Sequence, residues 1–427
     1  MAEKKVPNPF ILTPFIPDDY FCSRREDSDR IMSLIKDGKD VVLMGNRRIG
    51  KTCLLNNLLW QPATQRQYNV LYVDLFNTKN ADDFIMAMRN AMVNPTYSSF
   101  PDECKKKFND VVKHFKAYGE INLKILKVGG ERSKERVKGE ESLFEQVFRV
   151  LETTGKPNIV VFDEFQQIDR YPEKITELLR SKIQATPNTR FVFSGSYAHM
   201  LKNMFCRQNQ PFYNSASMHY LKSIPAHTYA RFCNDMFRQY KKGFEAEAGT
   251  FVQNLFLGDA LCMQKAMAQT FDETPAYDTA GVAEVKKAVR HLLQEYDAKY
   301  AGQEMFLSPE EVRVLDCVAL EGVVTGFADD AFREKYGLGD ISSTLKCVSA
   351  LASDEKHLLD RVNSGTYILA DRFQELWIAD RYGILDEKFD MAVANKKRYD
   401  EVSLTKPVRK TLPGQKPEAQ ETKTPKH

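Results

Sequence analysis

Apolar positions in the first half of the chain fall into short unbroken runs separated by stretches of helical period. Asp40–Met44, Asn69–Phe76, Asn158–Phe162 and Arg190–Phe193 are such runs and predict buried strands. Between them, Asp27–Lys36 places Ile31, Leu34 and Ile35 on one helical face. Helices are also predicted from Lys51 to about Trp60, over Ala81–Asn94, through most of 101–155, and over Ile175–Ala185. Lys127–Glu141 is a charged stretch and predicts an exposed loop. Strands alternating with helices predict an α/β fold, with a parallel sheet covered on both faces.

The second half reads differently. Residues 228–300 are mostly helical in pattern. Ser308-Pro309-Glu310-Glu311 is a helix-start signal, with a capping hydroxyl, a proline in the first turn and acids facing the helix dipole. That helix runs to about Leu320. A short one spans Asp329–Tyr336, and a third runs from Ser342 through Leu351. Residues 358–370 alternate around Asn363-Ser364-Gly365 and predict a hairpin. Three helices and a hairpin are the order of a winged helix-turn-helix. After Asp386 the apolar pattern fades, and Pro, Lys, Thr and Gln dominate from Thr405, which predicts a disordered tail.

Composition adds limits. The 427 residues carry 61 Lys+Arg and 58 Asp+Glu, a net charge of +3, and exceed what one core usually supports. Eight cysteines without a Cys-x-x-Cys pair predict reduced thiols, and the seven histidines form no metal-ligand spacing. Prolines at 7, 9, 14 and 17 interrupt any signal-peptide apolar region, and no apolar run approaches the roughly 20 residues a membrane span needs. The expected location is the cytoplasm.

The chemistry begins at Gly45-Asn46-Arg47-Arg48-Ile49-Gly50-Lys51-Thr52, followed by Cys53. This is the G-x-x-x-x-G-K-[ST] phosphate loop (P-loop), set between a predicted strand and a predicted helix as its chemistry requires. Backbone N–H groups and the helix N-terminus suit phosphate oxygens. Lys51 suits the β- and γ-phosphates, and the Thr52 hydroxyl suits Mg²⁺. The run 158–162 delivers Asp163 and Glu164 at its C-terminal end, where open α/β sheets bind ligands. Asp163 suits Mg²⁺ held through water, and Glu164 suits a base for the attacking water. Ser194 and Ser196 end the fourth run, and either is a candidate sensor of the γ-phosphate or the water. Arg47 and Arg48 are candidates for contact with the nucleotide or a neighbouring subunit, with a solvated or salt-bridged role as the plainer reading. The guanine-reading Asn-Lys-x-Asp motif is missing, because Asn395-Lys396 is followed by Lys397 and Arg398, so ATP is expected rather than GTP.

Together these motifs resemble the archaeal-type ATPase family, on the AAA-like side of the P-loop NTPases near the STAND group. The resemblance spans about residues 7 to 385. It includes Asn8-Pro9-Phe10, the box Tyr20-Phe21-x-x-Arg24-Arg25-Glu26, Asp74, Asp163-Glu164-Phe165-Gln166, Phe193-Ser194-Gly195-Ser196, and Asp371-x-Phe373-x-x-x-Trp377. It implies an arm (1–25) near the adenine, a P-loop ATPase core (26–227), a helical lid (228–305) and a winged-helix domain (306–385), with 386–427 as the basic tail. It also implies ATP binding and hydrolysis; ATP and Mg²⁺ are the expected cofactors, and slow hydrolysis driving a regulatory switch is the expected function. Two positions depart from the family pattern. Asn214-Ser215 stands where the family often has Gly-Arg, a candidate trans-acting finger, which leaves Arg207 as a nearby substitute, with a solvated surface arginine as the plainer reading. Gly258-Asp259-Ala260 replaces the lid's usual Gly-x-Pro.

Charge distribution qualifies the winged helix. Residues 306–385 hold eight basic and fourteen acidic residues, a net of −6, and Lys346 is the one basic residue in 342–351. DNA affinity rests largely on phosphate contacts by Lys and Arg. The expected partner of this domain is therefore a protein. A DNA-binding regulator with ATP as a structural ligand is the alternative, drawing on the +5 carried by residues 395–427. Oligomerisation is compatible with the sequence. A small-molecule kinase would need an acceptor pocket that the sequence does not display.

Overall fold

The structure is a computed structural model that describes residues 7–13, 16–22, 24–117, 143–196, 198–353, 355–363 and 365–404. The chain divides into two compact units, Met1–Arg290 and His291–His427.

The first unit holds one parallel sheet of five strands: β1 (Val41–Met44), β2 (Asn69–Asp74), β3 (Asn158–Asp163), β4 (Thr189–Gly195) and β5 (Ser217–Tyr220). Their order is β2-β3-β4-β1-β5. Side chains alternate across a strand, so each strand feeds two cores. Val41, Leu43, Val161 and Val192 pack with Ile31 of α1 (Arg25–Lys36) and Leu54 and Leu58 of α2 (Lys51–Leu59). The short α3 (Pro62–Gln67) leads into β2. Val42, Val73, Phe162 and Phe193 face the other way. They meet α4 (Ala81–Val93), α5 (Asp102–Ala117), α6 (Leu143–Leu151), α7 (Thr176–Gln184) and α8 (Ala198–Cys206) through residues such as Phe84, Phe108, Phe148, Leu179 and Leu201. Apolar residues on both faces explain why the four predicted strands read as unbroken runs. β5 was not predicted: Ser-Met-His-Tyr at the sheet edge is only half-buried and carries no apolar run.

The region after the sheet is helical, as the pattern predicts: α9 (Ala226–Gln239), α10 (Ala246–Leu255), α11 (Ala260–Glu273) and the long α12 (Val282–Glu304). Two-residue strands β6 (Gly243–Phe244) and β7 (Thr279–Ala280) pair between them. The N-terminal arm sits on this helical subdomain. Phe10 is buried with its ring against Phe232, Phe237 and Phe271, at centroid distances of 6.0, 5.8 and 6.1 Å. Asn8 Nδ2 donates to the Ala268 carbonyl at 2.8 Å.

The second unit contains the winged helix. α13 (Pro309–Glu321) starts on a full capping box between Ser308 and Glu311, an arrangement that stabilises a helix by about 1 kcal/mol. α14 (Asp330–Lys335), α15 (Ile341–Leu351), the hairpin β8 (Leu359–Asn363) and β9 (Thr366–Leu369), and α16 (Arg372–Arg381) follow. The Asp371…Trp377 motif is structural. Asp371 caps α16, Phe373 is buried, and Trp377 Nε1 donates to Asp297 at 2.9 Å.

One expectation is corrected here. Residues 386–404 were assigned to a disordered tail, yet α17 (Leu385–Asp390) and α18 (Ala392–Leu404) fold there. The pattern missed them because their inward face mixes Phe389 and Tyr399 with two buried lysines, Lys388 and Lys396. The charged stretch 127–141 and residues 405–427 lie outside the described residues. Among the described residues, no helix is long and apolar enough to cross a membrane.

Candidate functional site

Because all five strands are parallel, the loops after β1, β2, β3 and β4 emerge at one edge of the sheet. The P-loop joins β1 to α2 there. Gly50 holds φ +95°, a conformation that favours glycine, and Arg48 adopts φ 57°. Lys51 is buried, and its Nζ donates to the Gly45 and Asn46 carbonyls at 3.0 Å each. The ammonium is thereby drawn over the loop it follows, among the backbone groups that suit phosphate.

Period-2 alternation then decides what meets the P-loop. Val161 faces α2, so Asp163 does too. Val192 faces α2, so Ser194 does too. Thr52, on the first turn of α2, donates from Oγ1 to Asp163 Oδ2 at 2.9 Å. The backbone N–H of Glu164 donates to Asp163 Oδ1 at 3.0 Å. Asp74 lies across from Asp163 in register but accepts from its own Phe76 N–H at 2.9 Å. Ser194 is fully buried, and its hydroxyl has no hydrogen-bond partner among the described residues. An orphaned buried hydroxyl at this edge of the sheet suits a ligand oxygen.

Glu164 sits at φ 53°, an uncommon conformation for a side-chain-bearing residue and one that clusters at functional sites. Its Oε1 accepts from Ser196 Oγ at 2.8 Å, and its Oε2 accepts from Gln166 Nε2 at 2.5 Å. Gln166 is wholly buried and lies against Gly195, where a Cβ would overlap it. Ser196 thus touches the carboxylate, while Ser194 stands apart.

Further residues complete this edge, and of these Tyr72 and Tyr220 are not singled out by the sequence. Tyr72 donates its hydroxyl to Asp163 Oδ2. Burial first, and then the Asp163 charge, push this phenol well above its ordinary pKa, so it remains a donor. Tyr220 OH donates to Asn46 Oδ1 at 2.9 Å. Arg24 donates to the Ile49 carbonyl at 2.6 Å and to the Lys222 carbonyl at 2.7 Å, fastening the P-loop to the segment after β5. Burial pulls the Arg24 pKa down, against the opposing pull of Asp27. Burial likewise raises the Cys53 thiol, keeping it neutral. The Tyr72 and Tyr220 contacts join residues distant in sequence, so no local motif announces them.

The remaining candidates separate. Arg48 forms an ion pair with Asp259 at 3.8 Å, and its carbonyl accepts the Ala260 N–H at 2.9 Å. Asp259 also caps α11 through the Cys262 N–H at 2.9 Å. The Gly258-Asp259-Ala260 departure therefore makes a direct contact between the helical subdomain and the P-loop. Arg47 is half-buried with no ion pair among the described residues. Arg207 is exposed just past the C-terminal end of α8.

A phosphate loop, a paired Asp-Glu and a covering helical subdomain define the class: a P-loop nucleotide-binding fold of AAA type. Residues 36–204 match the family model of the AAA domain, and residues 298–380 match that of a probable winged helix domain. The chain therefore carries an AAA domain followed by a probable winged helix domain. Among solved structures the fold is similar to a Walker-type ATPase of Pyrococcus abyssi, at 17% identity and a TM-score of 0.57, over 87% of this chain and 99% of that one. It is also similar to the ORC2 protein of Aeropyrum pernix, solved as ADPNP–ADP complexes, at 15% identity and a TM-score of 0.51, over 91% and 99%. No curated protein matches the chain.

Proposed function

We infer that this edge binds ATP with Mg²⁺ and hydrolyses it, and that the nucleotide state switches the helical subdomain and the winged helix between partners. The observation that carries the reading is the Thr52–Asp163–Glu164 chain of hydrogen bonds beside the buried Lys51. The donor set fits the cation: Thr52 and Asp163 are hard oxygen groups at hydrogen-bond distance from one another. Mg²⁺, when bound, neutralises charge on the β- and γ-phosphates. Lys51 and the P-loop N–H groups hold the phosphates. Glu164 orients a water and takes its proton as the water oxygen bonds to the γ-phosphorus and the bond to the ADP oxygen breaks. The Arg48–Asp259 and Ala260–Arg48 contacts give the switch its route, since a P-loop that rearranges around phosphate also moves the cap of α11.

The test is equilibrium binding of an ATP analogue with Mg²⁺. Lys51→Ala is expected to weaken it about 10- to 100-fold, the worth of one charge-assisted contact. Equal affinity in the two proteins would end the reading.

The winged helix is proposed to dock on a protein. Ile341 and Leu345 are exposed one turn apart on α15, where a DNA reader would carry basic residues. Any affinity of the full chain for duplex DNA is expected to fall steeply with salt, and to vanish when residues 405–427, with six basic and two acidic residues, are removed. Submicromolar, salt-sensitive binding that survives the deletion would reverse this assignment.

A further inference from the structure

Tyr72 lies in β2 on the α2 side of the sheet, and its position is constrained from three directions. Its ring stacks on Tyr97 with centroids 6.4 Å apart. Its backbone N–H donates to the Tyr97 carbonyl at 2.8 Å. Its hydroxyl donates to Asp163 Oδ2, the same oxygen that accepts from Thr52. The residue is only 4% exposed. A phenol in such surroundings needs an acceptor. This one is spent on the carboxylate of the phosphate site.

Asp163 consequently receives three donors: Tyr72 and Thr52 on Oδ2, and the Glu164 N–H on Oδ1. A carboxylate offers about four lone-pair sites. The hydroxyl of Thr52 can donate to Asp163 and still present its oxygen elsewhere. The Tyr72 bond is different, because it comes from a rigid ring on a neighbouring strand and fixes the plane of the carboxylate.

The geometry points to Tyr72 as a positioning residue for the divalent cation that accompanies the nucleotide: it fixes Asp163 so that this carboxylate meets the cation through water ligands rather than by direct ligation. The assignment rests on the nucleotide reading of this edge given above. Partners that orient metal-associated carboxylates typically govern about 10- to 100-fold in metal affinity.

The experiment uses the full chain and a fluorescent nonhydrolysable ATP analogue. Its affinity is measured in EDTA, and Mg²⁺ is then titrated at saturating analogue. Tyr72→Phe removes one hydroxyl and keeps the ring. The expected result is unchanged affinity in EDTA with a Mg²⁺ half-saturation raised about tenfold, parallel to Thr52→Ala. A Tyr72→Phe protein with wild-type Mg²⁺ dependence, beside a Thr52→Ala protein that has lost it, overturns the role of Tyr72 alone. Loss of analogue affinity in EDTA also overturns it, because the hydroxyl would then serve the fold. Mg²⁺-independent binding in the wild type and in Thr52→Ala overturns the reading of the site together with this assignment.

Discussion

Glu164→Gln is expected to lower steady-state ATP hydrolysis by about 10²–10⁴-fold, the usual worth of a positioned general base, while ATP binding persists. The surroundings of Glu164 make this a clean substitution. Oε2 accepts from Gln166 Nε2 at 2.5 Å and from the Ser196 N–H at 3.4 Å, so the amide oxygen of the new side chain belongs there. Oε1 meets Ser196 Oγ at 2.8 Å, and a hydroxyl can turn from donor to acceptor, so the new NH₂ group is satisfied as well. The backbone at φ 53° treats Gln and Glu alike. What changes is basicity, so binding and turnover separate. Phosphate release at saturating Mg²⁺ and ATP, set beside analogue affinity, reads both. Turnover retained at the wild-type rate would remove Glu164 from the chemistry.

The same carboxylate shows which parts of the site are legible in sequence. Lys51, Thr52 and the P-loop glycines are read from eight consecutive residues, because the loop's chemistry is local. Asp163 and Glu164 are read from the apolar run that carries them. Gln166 and Tyr72 were not read as site residues. Gln166 acts because Gly195 leaves room for it, and Tyr72 reaches Asp163 across 91 positions of sequence. Strand register makes these contacts, and no single run of residues encodes register. Ser194 and Ser196 were equivalent candidates in sequence. The end of β4 separates them, because Ser194 lies inside the strand as an orphan while Ser196 falls just past Gly195 and touches Glu164. The helical subdomain was legible as helix, but its hold on the P-loop through Asp259 was visible only as a departure from a family pattern.

Lys388 should make the second unit more stable as pH rises from 7 to 9. It belongs to α17, in the stretch whose charged residues hid its helices. Its Nζ lies 3.6 Å from Glu375 Oε1, and both groups are buried. Arg372, equally buried, pairs with the same carboxylate. Two cations share one anion, so one positive charge is in excess in a poorly solvated place, and lysine can give up a proton where arginine cannot. Burial first, with Arg372 second and Arg398 adding, brings Lys388 down to about 7, against the pull of Glu321. The unfolded chain holds that proton up to the ordinary lysine range. Between these limits it binds more protons than the native state, so unfolding becomes harder as pH rises. Over pH 7 to 9 the contribution is on the order of 2 kcal/mol, and it levels off above the ordinary lysine pKa, at about pH 11. The chain has two tryptophans, Trp60 in the first unit and Trp377 in the second. Urea unfolding followed by Trp377 fluorescence, with Trp60→Phe as background, isolates the second unit. Lys388→Met, close in volume and without charge, should abolish this part of the pH slope and stabilise the unit most at pH 7 and below. Parallel pH profiles for the two proteins would show that Lys388 stays charged in the fold, with Glu375 neutralising it fully.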